Sequence, residues 1–181
     1  MTELEHYGSL VLREPGMGDL DRHFEIYGDP QTNRHNPAGP LASLKDSRRM
    51  LQAWKDHWWK YGFGNWTVST GDEPEDVIGF GGLSHRIING KERINLGFRF
   101  APDAWGKGYA TQLGEAALHV AFDQLGLEAV HAFVRPDNLP SIQVLERLNM
   151  HQTETMDDVP DAPPSLVFEI TADEAKARLR A

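Results

Sequence analysis

The chain has 181 residues, 40% hydrophobic and 25% charged, the make-up of an ordinary globular protein able to bury a core of its own. Its 27 acidic against 18 basic residues, a net charge of -9, argue against broad binding to nucleic-acid phosphates. It has no cysteine, which excludes disulfides, thiolate metal sites and a thiol-linked acyl intermediate, and no apolar run approaches the roughly 20 residues that cross a bilayer.

In chain order, Leu10, Val11 and Leu12 form the apolar centre of a first strand, 9–13. Leu20, Phe24 and Tyr27 then recur at one-face helical spacing, and Asp29-Pro30 ends that helix. Two prolines and a glycine make 31–40 a loop. Ser43 and Asp46 approximate a capping box for a second helix, which Gly62 stops. Leu44, Leu51, Trp54, Trp58 and Tyr61 share one face of it; their spacing predicts core packing, with an acceptor-cleft role for one ring as the other reading. Strands are predicted at 66–70, 77–84 and 93–100, with a two-residue hairpin at Asn89-Gly90, and together they make an antiparallel meander.

A helix over 110–125 and a strand over 129–134 complete a βαβ unit with the strand before them, placing those two strands parallel. A short helix, 141–148, ends at Asn149, which tolerates a left-handed cap. Late strands at 153–156 and 166–170 close the sheet, and Thr171-x-x-Glu174 caps a final helix. The expected fold class is therefore α+β: one domain over residues 1–181, a mixed and mostly antiparallel sheet with a central parallel pair, and flanking helices.

Chemistry concentrates in Gly97-Phe98-Arg99-Phe100-Ala101-Pro102-Asp103-Ala104-Trp105-Gly106-Lys107-Gly108-Tyr109-Ala110-Thr111, a strand, a glycine-rich turn and a helix start. Such a turn aims several N–H groups at one spot, and the helix adds its own unpaired N–H groups and positive dipole end. That suits a pyrophosphate, with Lys107 adding a point charge. The spacing fits neither a Walker loop nor a dinucleotide fingerprint, whose third glycine would stand at Thr111. A glycine-lubricated turn without a ligand is the structural alternative.

Trp105-x-x-Gly108-x-Ala110 resembles the Q/R-x-x-G-x-G/A motif of the GNAT superfamily of N-acetyltransferases. Leu96-Gly97-Phe98 through Asp103–Thr111, with Val134-Arg135-Pro136-Asp137-Asn138-Leu139-Pro140-Ser141 and the following Val144-Leu145-Glu146, is similar to the RimJ/RimL branch, which acetylates ribosomal-protein N-termini. The resemblance implies acetyl-CoA as acetyl donor, with its pyrophosphate on the amides of Gly106, Lys107, Gly108, Tyr109, Ala110 and Thr111. It implies a pantetheine arm lying along Phe98, Arg99 and Phe100 like an added strand, in a gap where that strand splays from 129–134, with an amide near Phe98 polarising the thioester. Asn138 corresponds to a residue that hydrogen-bonds the arm; as a helix N-cap it has an equally good structural use.

Two positions depart from the family pattern. The site of a common glutamate base carries Asn95, which cannot act as a base, and a common tyrosine acid is replaced by Leu145. Deprotonation then falls to water, Glu92, His85 or another acidic group. Ser141 is the nearest hydroxyl for the leaving thiolate, and equally a helix-start residue. Asn95 and Ser141 are thus the candidate catalytic positions.

His35, His85 and His131 show no metal-ligand spacing, so no metal is expected. The expected reaction is direct attack of a primary amine, on a protein N-terminus or a small molecule, upon acetyl-CoA in a ternary complex. A catalytically silent CoA-binding module and a nucleotide phosphotransferase are the competing classes. The polar, acidic start of the chain and the missing cysteines lead to an expected cytoplasmic location, with no nucleic-acid or membrane partner and a homodimer as the base-rate assembly.

Overall fold

A computed structural model describes residues 5–180, with side chains through Ala177. Eight strands form one sheet: β1 (Glu5–Tyr7), β2 (Leu10–Arg13), β3 (Asn65–Thr70), β4 (Val77–Ile88), β5 (Lys91–Phe100), β6 (Ala129–Val134), β7 (His151–Met156) and β8 (Ser165–Thr171). Their order is β1-β2-β3-β4-β5-β6-β8-β7. The helices are α1 (Leu20–Tyr27), α2 (Leu44–Tyr61), α3 (Tyr109–His119), α4 (Leu139–Arg147) and α5 (Ala172–Arg180). β5 and β6 run parallel, as the βαβ reading requires, with Asn95 opposite His131; β1–β2, β2–β3, β3–β4, β6–β8 and β7–β8 are antiparallel. The α+β class and the central parallel pair stand.

Differences from the sequence reading are local. β1 was not expected: its three residues are polar and not buried, so no alternation marks them, and it exists because Glu5, His6 and Tyr7 pair with Leu12, Val11 and Leu10. Leu44 does not share the buried face of α2; it is 41% exposed, whereas Leu51 is buried as expected and Ser47 is buried with it. The helix expected to run to 125 stops at His119 and continues as one π turn, Val120–Gln124, closed by Leu125 N–H donating to the Val120 carbonyl at 2.9 Å. α4 begins two residues before the expected Ser141, because Asn138 is its cap.

The chain divides into two compact units, one running to Ser84 and taking in Gly97–Leu113, the other made of His85–Leu96 and the chain from Gly114 on. In the first unit, Ile26, Val77, Phe80 and Ala101 form a buried cluster with Tyr27 and Trp54 packed on it. His23 sits inside this cluster, stacked on Tyr27 at 4.3 Å and edge-on to Trp54 and Phe80. Burial, with the charge of Arg99, pushes its pKa down to about 4, so its neutral ring bonds Ser47 Oγ through Nδ1 at 2.5 Å. Trp54 and Trp58 are partly buried, the former against this cluster and the latter donating from Nε1 to the Asn65 carbonyl at 2.7 Å and meeting Trp66 edge-on.

Asp19 anchors the same unit. Burial alone would raise its pKa, but hydrogen bonds from Arg13, the Gly16 amide and Thr67 outweigh that and hold it below the usual carboxylate value. In the second unit, Val130, Ala132, Leu145, Leu148, Met150, Val167 and Ile170 are buried. Gly114 lies so close to Leu148 that a Cβ there would strike its side chain, which explains a glycine inside α3.

Candidate active site

The glycine-rich turn takes the shape its composition predicts. A single helical turn, Pro102–Ala104, leads into extended Trp105; Gly106 and Gly108 then adopt φ of +73° and +80°, and α3 starts at Tyr109. Those left-handed angles are what an L side chain avoids, and a Cβ on either glycine would point into open space. Trp105, Gly106, Lys107 and Gly108 are exposed. The ladder of α3 begins with Gln112 N–H donating to the Gly108 carbonyl at 3.1 Å, so the amides of Tyr109, Ala110 and Thr111 precede it. Alternating backbone hands followed by a helix N-terminus are an arrangement that can bind anions through main-chain N–H groups.

Trp105 donates from Nε1 to the Phe100 carbonyl at 2.9 Å, so the indole, where the motif usually has a polar side chain, ties the turn to the end of β5. β4 and β5 meet there almost without side chains between them. A Cβ on Gly81 would lie 2.6 Å from the Gly97 carbonyl oxygen and 2.8 Å from Phe98 Cα. The Arg99 side chain is committed elsewhere: it donates to Asn33 Oδ1 at 2.8 Å and lies 4.4 Å over the Tyr27 ring.

In the second unit, Asn138 caps α4, its Oδ1 accepting from the Ser141 N–H at 3.3 Å. The cap use of Asn138 and the helix-start use of Ser141 are thus both realised. Leu145 is 2% exposed, a core residue. Glu92 is exposed, and by strand alternation it leaves β5 from the face opposite Asn95.

Asn95 is 7% exposed and its Oδ1 has no hydrogen-bond partner. Opposite it on β6, His131 bonds Glu169 Oε2 through Nε2 at 2.6 Å, while its buried Nδ1 has no partner. Burial lowers the His131 pKa against the opposing pull of Glu169, so its ring is neutral near pH 7. Arg93 pairs with Glu154, which also accepts from Asn89 Nδ2 at 2.7 Å. The partner of His131 lies 38 positions away, and only the β6–β8 register joins them. Among the described residues, no group of three His, Asp or Glu side chains stands close enough to hold a metal.

Residues 9–151 match the acetyltransferase (GNAT) domain family. The chain belongs to the GNAT family. It is an acyltransferase of that fold, and several of its relatives are named N-acetyltransferases. An uncharacterised N-acetyltransferase, p20, of Bacillus licheniformis is 25% identical over 158 residues, covering 87% of this chain and 88% of that one. A GNAT acetyltransferase of Bacillus anthracis superimposes with a TM-score of 0.77 at 20% identity, covering 95% of this chain and all of that one. A Vibrio cholerae spermidine N-acetyltransferase, solved with CoA and spermine, has a TM-score of 0.74 at 18% identity, covering 92% and 97%. Among the described residues of this GNAT chain, no helix is long and apolar enough to cross a membrane.

Proposed function

We propose that the protein transfers the acetyl group of acetyl-CoA to a primary amine by direct attack in a ternary complex. The observation that carries this reading is the exposed turn in which Gly106 and Gly108 hold positive φ and α3 begins at Tyr109. It receives the coenzyme pyrophosphate on the amides of Gly106 to Thr111, and the pantetheine arm follows the main chain of Phe98–Phe100. An amide near Phe98 polarises the thioester carbonyl. With no cysteine in the chain, the acetyl group passes to the amine without a thiol-linked intermediate.

The acceptor is a protein N-terminal α-amine or a small-molecule amine. An α-amine, with an unperturbed pKa of about 7.7–8.0, is roughly one-tenth neutral at pH 7, whereas a lysine amine near 10.4 is neutral in under about one part in a thousand. The RimJ/RimL-like motif supports the first class. The net charge of -9 supports attraction of cationic amines generally, and the fold is shared with a spermidine acetyltransferase. The cysteine-free sequence suits a reducing cytoplasm. A CoA-binding module without turnover is the second reading, motivated by Asn95 and Leu145.

Purified protein is mixed with acetyl-CoA and either spermidine or a peptide with an N-terminal serine, and release of CoA thiol is followed. Turnover on either amine supports the enzyme and ends the silent-module reading. CoA-dependent thermal stabilisation without turnover on any amine of a broad panel favours the module. Gly108→Val, which both fills the approach to the turn and strains its φ of +80°, is expected to raise the acetyl-CoA dissociation constant about tenfold or more; an unchanged constant removes the pyrophosphate from this turn.

A further inference from the structure

Arg99 leaves β5 on the side of α1, where its guanidinium lies 4.4 Å from the centre of the Tyr27 ring. Its Nη1 donates to Asn33 Oδ1 at 2.8 Å. The Asn33 amide is held in that orientation. Its Nδ2 donates at 2.8 Å to the Tyr27 and Asp29 carbonyls, and Asn36 Nδ2 donates to the same Oδ1 at 2.9 Å. Asn33 is 4% exposed, and the Leu41 amide closes the loop by donating to the Tyr27 carbonyl at 3.0 Å. The loop after α1 thus fixes the guanidinium by one nitrogen and one face.

The charge held there has no opposite. The other partly buried arginines each pair with a carboxylate: Arg13 with Asp19, Arg22 with Glu25, Arg93 with Glu154 and Arg135 with Asp158. Among the described residues Arg99 pairs with none, and neither its Nε nor its Nη2 makes a hydrogen bond. Its field is felt nearby: after burial, Arg99 is what holds the pKa of His23 down. Fixing a partly desolvated cation without a counter-charge is unfavourable, which suits a site whose anion arrives from outside. Tyr27, Phe98 and Arg99 are all partly exposed, so the corner is open to solvent. The free edge of a guanidinium matches the two oxygens of a carboxylate.

We propose, resting on the acetyl-transfer reading, that Arg99 binds a carboxylate carried by the acceptor. The acceptor is then an amine with a carboxylate close by, as in an amino acid or a chain start followed by an acidic residue. Tyr27, Asn33, Phe98 and Arg99 all belong to the first compact unit. Arg99 adjoins Phe98, where that reading puts the thioester, and consecutive Cα atoms are about 3.8 Å apart. Amine and carboxylate therefore come from one small molecule or one chain end. The coenzyme uses the main chain of β5 and the carboxylate its side chain, so the two do not compete. Nor does the net charge of -9 oppose this, because salt screens exposed charges beyond about 10 Å while a partly buried guanidinium acts at contact. At contact, Arg99 repels a polyamine.

The test uses the full chain, acetyl-CoA and acceptors in matched pairs. Each common amino acid is set against its amide, and peptides beginning Ala-Glu against peptides beginning Ala-Gln, with spermidine alongside. Rates are expressed per neutral amine. The wild type is expected to favour the carboxylate member of at least one pair by about 10- to 100-fold in kcat/KM, chiefly through KM. Preference among the amino acids identifies a free amino acid; preference among the peptides identifies an acidic chain start. Arg99→Gln is expected to abolish the preference and Arg99→Lys to restore part of it, with thermal stabilisation by CoA kept in both. Equal turnover within every pair, or highest activity on spermidine, overturns the inference while acetyl transfer stands, and both are read on the wild type alone. A folded Arg99→Gln variant that keeps the preference, or that loses CoA stabilisation, also overturns it. Absence of turnover on every acceptor refutes the acetyl-transfer reading itself.

Discussion

Gly82 shows how a single residue fixes the route of the backbone. Its φ is +150°, a conformation that side chains rarely adopt, and a Cβ would press into the Gly64 carbonyl oxygen and lie 3.0 Å from the Trp66 ring. Gly82→Ala is therefore expected to destabilise the protein by about 2–4 kcal/mol, because both the strand and a buried tryptophan must shift. Urea unfolding reads this as a lower midpoint at constant m-value. Gly106 and Gly108 carry positive φ without any neighbour to restrict them, so backbone angle and not packing calls for glycine there. Composition flags both kinds alike; only the surrounding atoms tell them apart.

Helix ends are where the sequence was most legible at the scale of elements. Ser43 caps α2 by accepting from the Asp46 amide, and Thr171 and Glu174 make the reciprocal pair at the start of α5. These motifs act within a few residues, so their spacing is sufficient. Asn138 is harder, since its type suits both a cap and a ligand contact. Asn138→Ala is expected to cost about 1 kcal/mol, a fall of roughly 2–4 °C in melting temperature, by leaving an α4 amide without its partner. Asn138→Asp keeps the cap oxygen and removes the amide donor, so its melting temperature should match the wild type. A rise in the acetyl-CoA dissociation constant in that variant assigns the lost amide to the pantetheine arm; no rise leaves the cap as its only use.

For the whole molecule, acid sensitivity follows from two buried groups that respond in sequence. His23 is neutral in the fold with a pKa of about 4, whereas an unfolded histidine takes its proton near 6.5. Between those values the unfolded chain binds the extra proton, so stability present above pH 6.5 is lost as pH falls toward 4, in all about 3 kcal/mol. Asp19, held below the ordinary carboxylate value of 3.8, adds its loss only at lower pH. His23→Leu should flatten the dependence of unfolding free energy on pH between 6.5 and 4 by close to one proton. An unchanged slope places the titrating group elsewhere. The variant also leaves Ser47 without its partner, so it should be less stable than the wild type near pH 7.

By itself the sequence determined what depends on neighbours along the chain: the helices with their caps, the Asn89-Gly90 hairpin, the glycine-rich turn and the motif that names the family. It read the parallel pair as well, because a short βαβ crossover has one favoured hand. Only the tertiary structure decided what depends on pairing between distant strands. β1 exists through the partner it bonds, and Leu44 is exposed because packing leaves it outside the buried face of α2. The meeting of Asn95, His131 and Glu169 is a matter of register, in which a slip of one residue would turn each side chain to the other face. Local hydrogen bonding and backbone preference are written at short range, whereas the alignment of strands dozens of residues apart is chosen by the packing of the whole sheet.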